Sequence, residues 1–274
     1  MDKMDKILTF IGAGNMARSL IAGLIQDDTA FEIRVSDPDE SQLDTIKRNW
    51  QTVKTFTNNE AACKDVHIIV MAVKPQILPM LCVSLSTQLQ ATRPLIISIA
   101  AGVRESTINQ ALGGSFPIVR CMPNTPALVQ AGATGLYANA QVNDEQRSEA
   151  EGILRAVGIT LWFTDEQQLD TVTAVSGSGP AYFFLVMEAM QKSASKLGLT
   201  DDEARLLVLQ TAMGAAKLAL ESNDDAATLR ERVTSKGGTT EAALKVLNEG
   251  GLTELFHQAL TAAENRSKEL AEQT

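Results

Sequence analysis

Residues Gly12-Ala13-Gly14-Asn15-Met16-Ala17 carry the spacing G-x-G-x-x-A directly after an apolar run of Ile7, Leu8, Phe10 and Ile11. In that pattern Gly12 permits a tight exit from a strand, Gly14 leaves the backbone open to a pyrophosphate, and the small Ala17 lets the following helix pack close. The start of that helix adds free N–H groups and the positive end of a dipole, so the chemistry is anion binding by backbone. A dinucleotide reading is tested at the end of the next strand, Ile33-Arg34-Val35-Ser36-Asp37-Pro38. An acidic residue there takes the ribose hydroxyls of NAD, whereas a 2′-phosphate wants donors. Arg34 and Ser36 suit the phosphate and Asp37 repels it; Asp37-Pro38-Asp39 equally suits a turn and helix cap. Two further loops, Ala72-Val73-Lys74-Pro75 and Ile99-Ala100-Ala101-Gly102, follow apolar runs, at the carboxyl ends of predicted strands where ligands bind open α/β sheets.

Positioning those loops requires a sheet. Strand-like runs fall at 7–11, 32–35, 66–73, 95–99, 118–121, 135–137 and 160–163, with helix-like segments at 16–26, 40–49 and 104–111. This alternation predicts a mostly parallel sheet covered on both faces. From about Thr171 helical periodicity takes over: 182–190 is apolar nearly all round, and Thr200-Asp201-Asp202-Glu203 reads as a capping box opening a helix to Glu221. Further helices are expected at 225–233, 240–249 and 252–272. The polar segment 164–168 marks the boundary, giving residues 1–165 as a Rossmann-like doubly wound domain and 166–274 as an all-helical domain. An all-round apolar helix in so small a unit predicts dimerisation.

Bulk properties exclude several classes. At 274 residues and a net charge of −9, the chain lacks the basic face of a nucleic-acid binder. Three widely spaced cysteines, Cys63, Cys82 and Cys121, form no C-x-x-C pair, and with only His67 and His257 present no metal site or Ser-His-Asp triad is expected. The three cysteines read as small buried hydrophobes. No leader-like apolar core is expected at residues 1–6, the apolar runs are too short to span a bilayer, and a cytoplasmic protein is expected.

Together with Met122-Pro123-Asn124-Thr125-Pro126, Ser176-Gly177-Ser178-Gly179-Pro180-Ala181-Tyr182 and Val233-Thr234-Ser235-Lys236-Gly237-Gly238-Thr239-Thr240-Glu241-Ala242-Ala243-Leu244, these motifs resemble the pyrroline-5-carboxylate reductases over essentially the whole chain. The resemblance implies NAD(P)H-dependent reduction of the cyclic imine 1-pyrroline-5-carboxylate to L-proline. It places Ile11, Gly12, Ala13, Gly14, Asn15 and Met16 at the pyrophosphate, Ser36 and Asp37 near the adenosine ribose, Asn59 on the cofactor, and Ala72, Val73, Lys74, Pro75, Ile99, Ala100 and Ala101 along the nicotinamide half. Many relatives carry serine or a basic residue where Asp37 stands, so NADPH is implied with NADH admitted by Asp37.

For the substrate, the resemblance implies Ser235, Gly237, Gly238, Thr239 and Thr240. A glycine-rich loop entering a helix binds a carboxylate well, and Thr240 is the catalytic candidate, bonding the ring nitrogen as it changes from iminium to amine. Ser176 and Glu221 are further substrate candidates. A protonated imine is already an activated electrophile, so positioning carries most of the rate and the scarcity of histidine fits. A homodimer assembling into larger rings is also implied. Among rivals, a two-domain hydroxyacid dehydrogenase would place a lysine base on the first helix of the second domain, and 177–190 contains none. A non-catalytic nucleotide sensor would not need the loop at 235–240, and an imine reductase for a six-membered ring shares every motif.

Overall fold

The computed structural model describes residues 6–28 and 31–273. The leader reading rests on residues that, up to position 5, lie outside the described ones. Along the chain run β1 (Lys6–Ile11), α1 (Asn15–Gln26), β2 (Phe31–Ser36), α2 (Glu40–Asn49), β3 (Lys54–Phe56), α3 (Asn59–Ala62), β4 (Ile68–Met71), α4 (Leu78–Leu89), β5 (Leu95–Ser98), α5 (Glu105–Ala111), β6 (Ile118–Met122), β7 (Gly132–Ala138), α6 (Asp144–Arg155) and β8 (Gly158–Phe163). The eight strands form one sheet in the order β3-β2-β1-β4-β5-β6-β7-β8. Every neighbouring pair is parallel except β6 with β7.

The continuous apolar runs are central strands buried on both faces. In β4, Ile68 and Val70 enter one core with Leu8, Phe10, Leu20 and Leu24, while Ile69 and Met71 enter the other with Leu78, Leu85 and Phe116. Alternate side chains of one strand therefore feed two cores, the signature of helices on both sides. The run at 66–73 is longer than the strand because Ala72 and Val73 leave the sheet into the cleft described below. β3 and α3 are absent from the sequence reading: β3 has three residues and α3 four, the latter closed by Asn58, whose side chain accepts the Ala61 N–H at 2.9 Å. Elements this short carry no readable period.

The three cysteines are buried, and burial pushes the Cys63 and Cys82 thiols up to about 12. His67 sits in the β1–β4 ladder, its Nδ1 accepting the Ile7 N–H at 3.1 Å.

Two compact units emerge: residues up to Ser178 with Ala263 onward, and Gly179–Ala262. In the first, β8 leads into α7 (Gln168–Val172) and a single π-helical turn at Thr173–Gly177. Buried Asp170 accepts from Arg104 Nη2 at 2.6 Å and from Ser267 Oγ at 2.8 Å, and Thr171 Oγ1 donates to Glu264 at 2.9 Å. These bonds explain why the last turns of α12 (Leu252–Glu272) belong to this unit.

The second unit holds α8 (Gly179–Lys196), α9 (Asp201–Glu221), α10 (Ala226–Arg232), α11 (Thr239–Glu249) and the start of α12. The capping box is present, with Glu203 accepting the Thr200 N–H at 2.9 Å. The apolar helix α8, from which dimerisation is expected, leaves Phe183, Phe184 and Leu185 67%, 63% and 66% exposed in the single chain. Apolar side chains on α9, α11 and α12, such as Leu206, Met213, Val246 and Leu255, are exposed as well. The sequence encodes burial that one copy of the unit does not supply.

Two outcomes follow for stability. A Cβ on Gly23 would lie 2.3 Å from the Ala156 carbonyl oxygen. Gly23→Ala should therefore cost about 1–3 kcal/mol in urea unfolding, the clash outweighing the gain in helix propensity. The buried thiols should stay unreactive to an aromatic disulfide reagent in native protein and react at once in denaturant.

Candidate functional site

A cleft of about 680 Å³ opens at the carboxyl ends of β1, β2 and β4. Ile11, Gly12, Gly14, Asn15, Ser36, Asp37, Asn59, Ala72, Val73 and Lys74, all named from sequence, line it. Two backbone bonds set its floor: the Gly12 N–H donates to Ser36 O and the Ala72 N–H to Ile11 O, each at 2.8 Å. Gly12 turns with φ +102°, and a Cβ on it would meet Ala72 O at 2.4 Å. Gly14 is the N-cap of α1, with no side chain capping the helix and open space where its Cβ would stand. A flat turn, an uncapped helix start and a gap over Gly14 fit a dinucleotide pyrophosphate.

Other named residues stand behind this surface. Ala13 is buried, and Met16 packs on the core beneath α1. Pro75 accepts the Leu78 N–H at 3.2 Å, opening α4. Ile99, Ala100 and Ala101 leave β5, the strand beside β4; the Ile99 N–H donates to Met71 O at 3.2 Å and Ala100 is buried.

The end of β2 resolves into distinct jobs. Asp37 Oδ2 accepts the Ala13 N–H at 2.8 Å and Oδ1 accepts the Asp39 N–H at 2.9 Å. Asp37 thus ties the glycine loop to the turn, and Asp39 caps α2 through the Ser41 N–H. Those Ser41 bonds hold the Asp39 carboxyl below its ordinary range. Ser36 is buried and donates its hydroxyl to Asn59 Oδ1 at 2.7 Å, setting that side chain at the cleft wall. Arg34, read as suiting a 2′-phosphate, points elsewhere: it pairs with Glu32 at 2.7 Å and donates to the carbonyls of Ala62 and Lys64. Its guanidinium is consumed by that ion pair and the end of α3.

Ser176 lies on the π-helical turn of the first unit. Its backbone oxygen and hydroxyl accept from Asn124 Nδ2 at 3.2 and 3.1 Å, and the hydroxyl donates to Ala133 O at 3.3 Å. It closes the turn onto the Met122–Pro126 segment.

In the second unit, Gly237 and Gly238 line a depression with Arg230, Thr234 and Glu241. Gly237 adopts φ +72°, and its N–H donates to Glu241 Oε2 at 2.7 Å. The Gly238 N–H bonds to Ser235 O at 3.0 Å, and a Cβ on Gly238 would meet Ser235 Oγ at 2.5 Å. Gly238 caps α11 with no side-chain bond, leaving Thr239 and half-buried Thr240 in the first turn. One loop amide is thus already occupied by a side-chain carboxylate, that of Glu241. Glu221 ends α9 exposed, 3.7 Å from Lys217.

Sequence reasoning missed Arg18, Pro38, Asp39, Gln42, Ile77 and Leu81 in the cleft wall. The available signal was spacing: Arg18 stands four residues after Gly14, one helical turn above the phosphate-facing end.

A family model described as pyrroline-5-carboxylate reductase dimerisation matches residues 166–270, and one described as NADP oxidoreductase, coenzyme F420-dependent, matches 7–102. A pyrroline-5-carboxylate reductase of Pseudomonas aeruginosa is 51% identical over 97% of this chain and 97% of its own. A pyrroline-5-carboxylate reductase structure from Coxiella burnetii superposes with a TM-score of 0.92 at 47% identity, covering 97% and 99% of the two chains. The Plasmodium falciparum pyrroline carboxylate reductase with NADP bound gives 0.85 at 29% identity, covering 97% and 98%. Similarity of this depth spans the glycine-turn cleft, the apolar helices and the Ser235–Thr240 loop alike: the chain belongs to the pyrroline-5-carboxylate reductase family.

Proposed function

We propose that this chain reduces 1-pyrroline-5-carboxylate to L-proline with NADPH, NADH serving as a second donor. The observation that carries the reading is full-length similarity to proteins named for that reaction, at up to half identity among those compared. Residues 1–165 serve as the dinucleotide domain and 166–274 as the substrate and dimerisation domain, a division supported by a family match that begins at 166. The exposed apolar faces of α8, α9, α11 and α12 support a homodimer, with rings of dimers as the larger assembly. Among the described residues no helix is long and apolar enough to cross a membrane, and a cytoplasmic location goes with this biosynthetic role.

Bound NADPH supplies the hydride. The chain's own residues then have three tasks. Gly12, Gly14 and the α1 start hold the pyrophosphate, with Asn59 set by Ser36 at the ribose side. Ala72, Val73, Lys74, Pro75 and Ile99 to Ala101 form the wall for the nicotinamide half. The Ser235–Thr239 loop binds the substrate carboxylate, which displaces Glu241 from the Gly237 amide, and Thr240 Oγ1 accepts from the iminium N–H. When hydride adds to the ring carbon, the C=N π pair becomes the nitrogen lone pair, and Thr240 turns its hydroxyl to donate to it. Ser176, bonded to Asn124, keeps a framing role, and Glu221 is the weaker of the two substrate candidates.

Oxidation of NADPH at 340 nm with pyrroline-5-carboxylate should be rapid, and slower with the six-membered analogue; inertness of folded dimer toward both rings would remove the assignment. Thr240→Ala should lower kcat/KM for the imine by roughly fivefold or more, the worth of one hydrogen bond of about 1 kcal/mol, with KM for the coenzyme unchanged. Unchanged imine kinetics would take Thr240 out of the site.

A further inference from the structure

The ribose end of the cleft holds two carboxylates and one guanidinium. Asp37 and Asp39 line it, and so does Arg18. Asp37 gives both oxygens to backbone donors, Ala13 and Asp39, and Asp39 Oδ1 accepts from the N–H and hydroxyl of Ser41 at 2.9 and 2.6 Å. Neither carboxylate reaches Arg18, and among the described residues Arg18 makes no ion pair. Its guanidinium is instead steadied by two neutral acceptors: Nη1 donates to Gln42 Oε1 at 3.1 Å, and Nη2 to Asn15 Oδ1. Of the five donors of a guanidinium, these use two.

Location decides what the remaining donors face. Gln42 lies in the first turn of α2, directly after the β2 end where an α/β dinucleotide site meets the adenosine ribose. The cleft's other cation, Lys74, follows β4, which lies across β1 from β2 in the sheet. Arg18 is therefore the cation on the ribose side of the glycine turn. A doubly charged phosphate entering beside two carboxylates needs a fixed positive partner, and a planar, pre-oriented guanidinium is the side chain suited to it.

We propose that Arg18, held by Asn15 and Gln42, is the residue that selects a 2′-phosphorylated dinucleotide in this chain, while Asp37 braces the glycine loop and leaves the ribose to others. The assignment rests on the reductase reading for its biological meaning and on the cleft alone for its chemistry.

The test is calorimetric binding of the fragments 2′,5′-ADP and 5′-AMP to full-length protein, which needs no turnover. Wild type should bind 2′,5′-ADP more tightly. Arg18→Ala should lose roughly 10- to 100-fold for 2′,5′-ADP, the worth of charge-assisted hydrogen bonds, and little for 5′-AMP. Arg18→Lys should recover part of the loss, and the preference should shrink with added salt. Parallel kinetics should show the KM for NADPH rising in Arg18→Ala while that for NADH stays. Equal losses for both fragments, or none, in an Arg18→Ala protein with wild-type circular dichroism would overturn the assignment to Arg18. Fragment discrimination by Arg18 without pyrroline-5-carboxylate turnover by wild type would instead overturn the reductase reading and leave the phosphate site standing.

Discussion

The carbonyl oxygen of Ala72 stands 2.4 Å from where a Cβ on Gly12 would be, and Gly12 holds φ +102°. No side chain fits that corner, so the exit of β1 can press against the end of β4. The neighbouring bonds, Gly12 N–H to Ser36 O and Ala72 N–H to Ile11 O, fasten three strand ends at one level. The cleft, the aim of α1 and the reach of Asp37 to the Ala13 amide all inherit their positions from that contact. The doubly buried strands make it stiff: β4 and β5 feed side chains into both cores, so neither strand end can shift without disturbing packing on two faces.

Polar groups near the cleft are organised in relays rather than as free functional groups. Buried Ser36 places Asn59, Asp37 places Ala13, and Gln42 and Asn15 place Arg18. Each relay spends a short side chain to fix the orientation of a neighbour. This suits a reaction in which the electrophile arrives already activated and geometry carries the rate.

Much of this was legible from residue order. The G-x-G-x-x-A turn, the continuous apolar runs of β4 and β5 and the Thr200–Glu203 capping box are local patterns whose physics acts over a few residues, and each is in place. The misses share a cause. Arg34 and Arg18 are both basic residues close in sequence to the cleft-forming segments, and only the direction of each side chain tells them apart; Glu32, two positions from Arg34 on the same strand face, takes one of them away. β3 and α3 were silent because three or four residues cannot display a period. The apolar girth of α8 was legible as a need for burial that so small a unit cannot meet, and the exposure of Phe183, Phe184 and Leu185 in a single copy fits the dimerisation it implied.

The uncovered apolar faces of the helical unit also bear on how the protein is made. A helical unit with Phe183, Phe184, Leu185, Leu206 and Met213 facing water in a single copy has a stability that grows with the logarithm of chain concentration once it pairs. Its melting temperature should rise as the protein is concentrated and fall on dilution. For a newly synthesised chain, those apolar faces stay in water until it meets a second copy of itself.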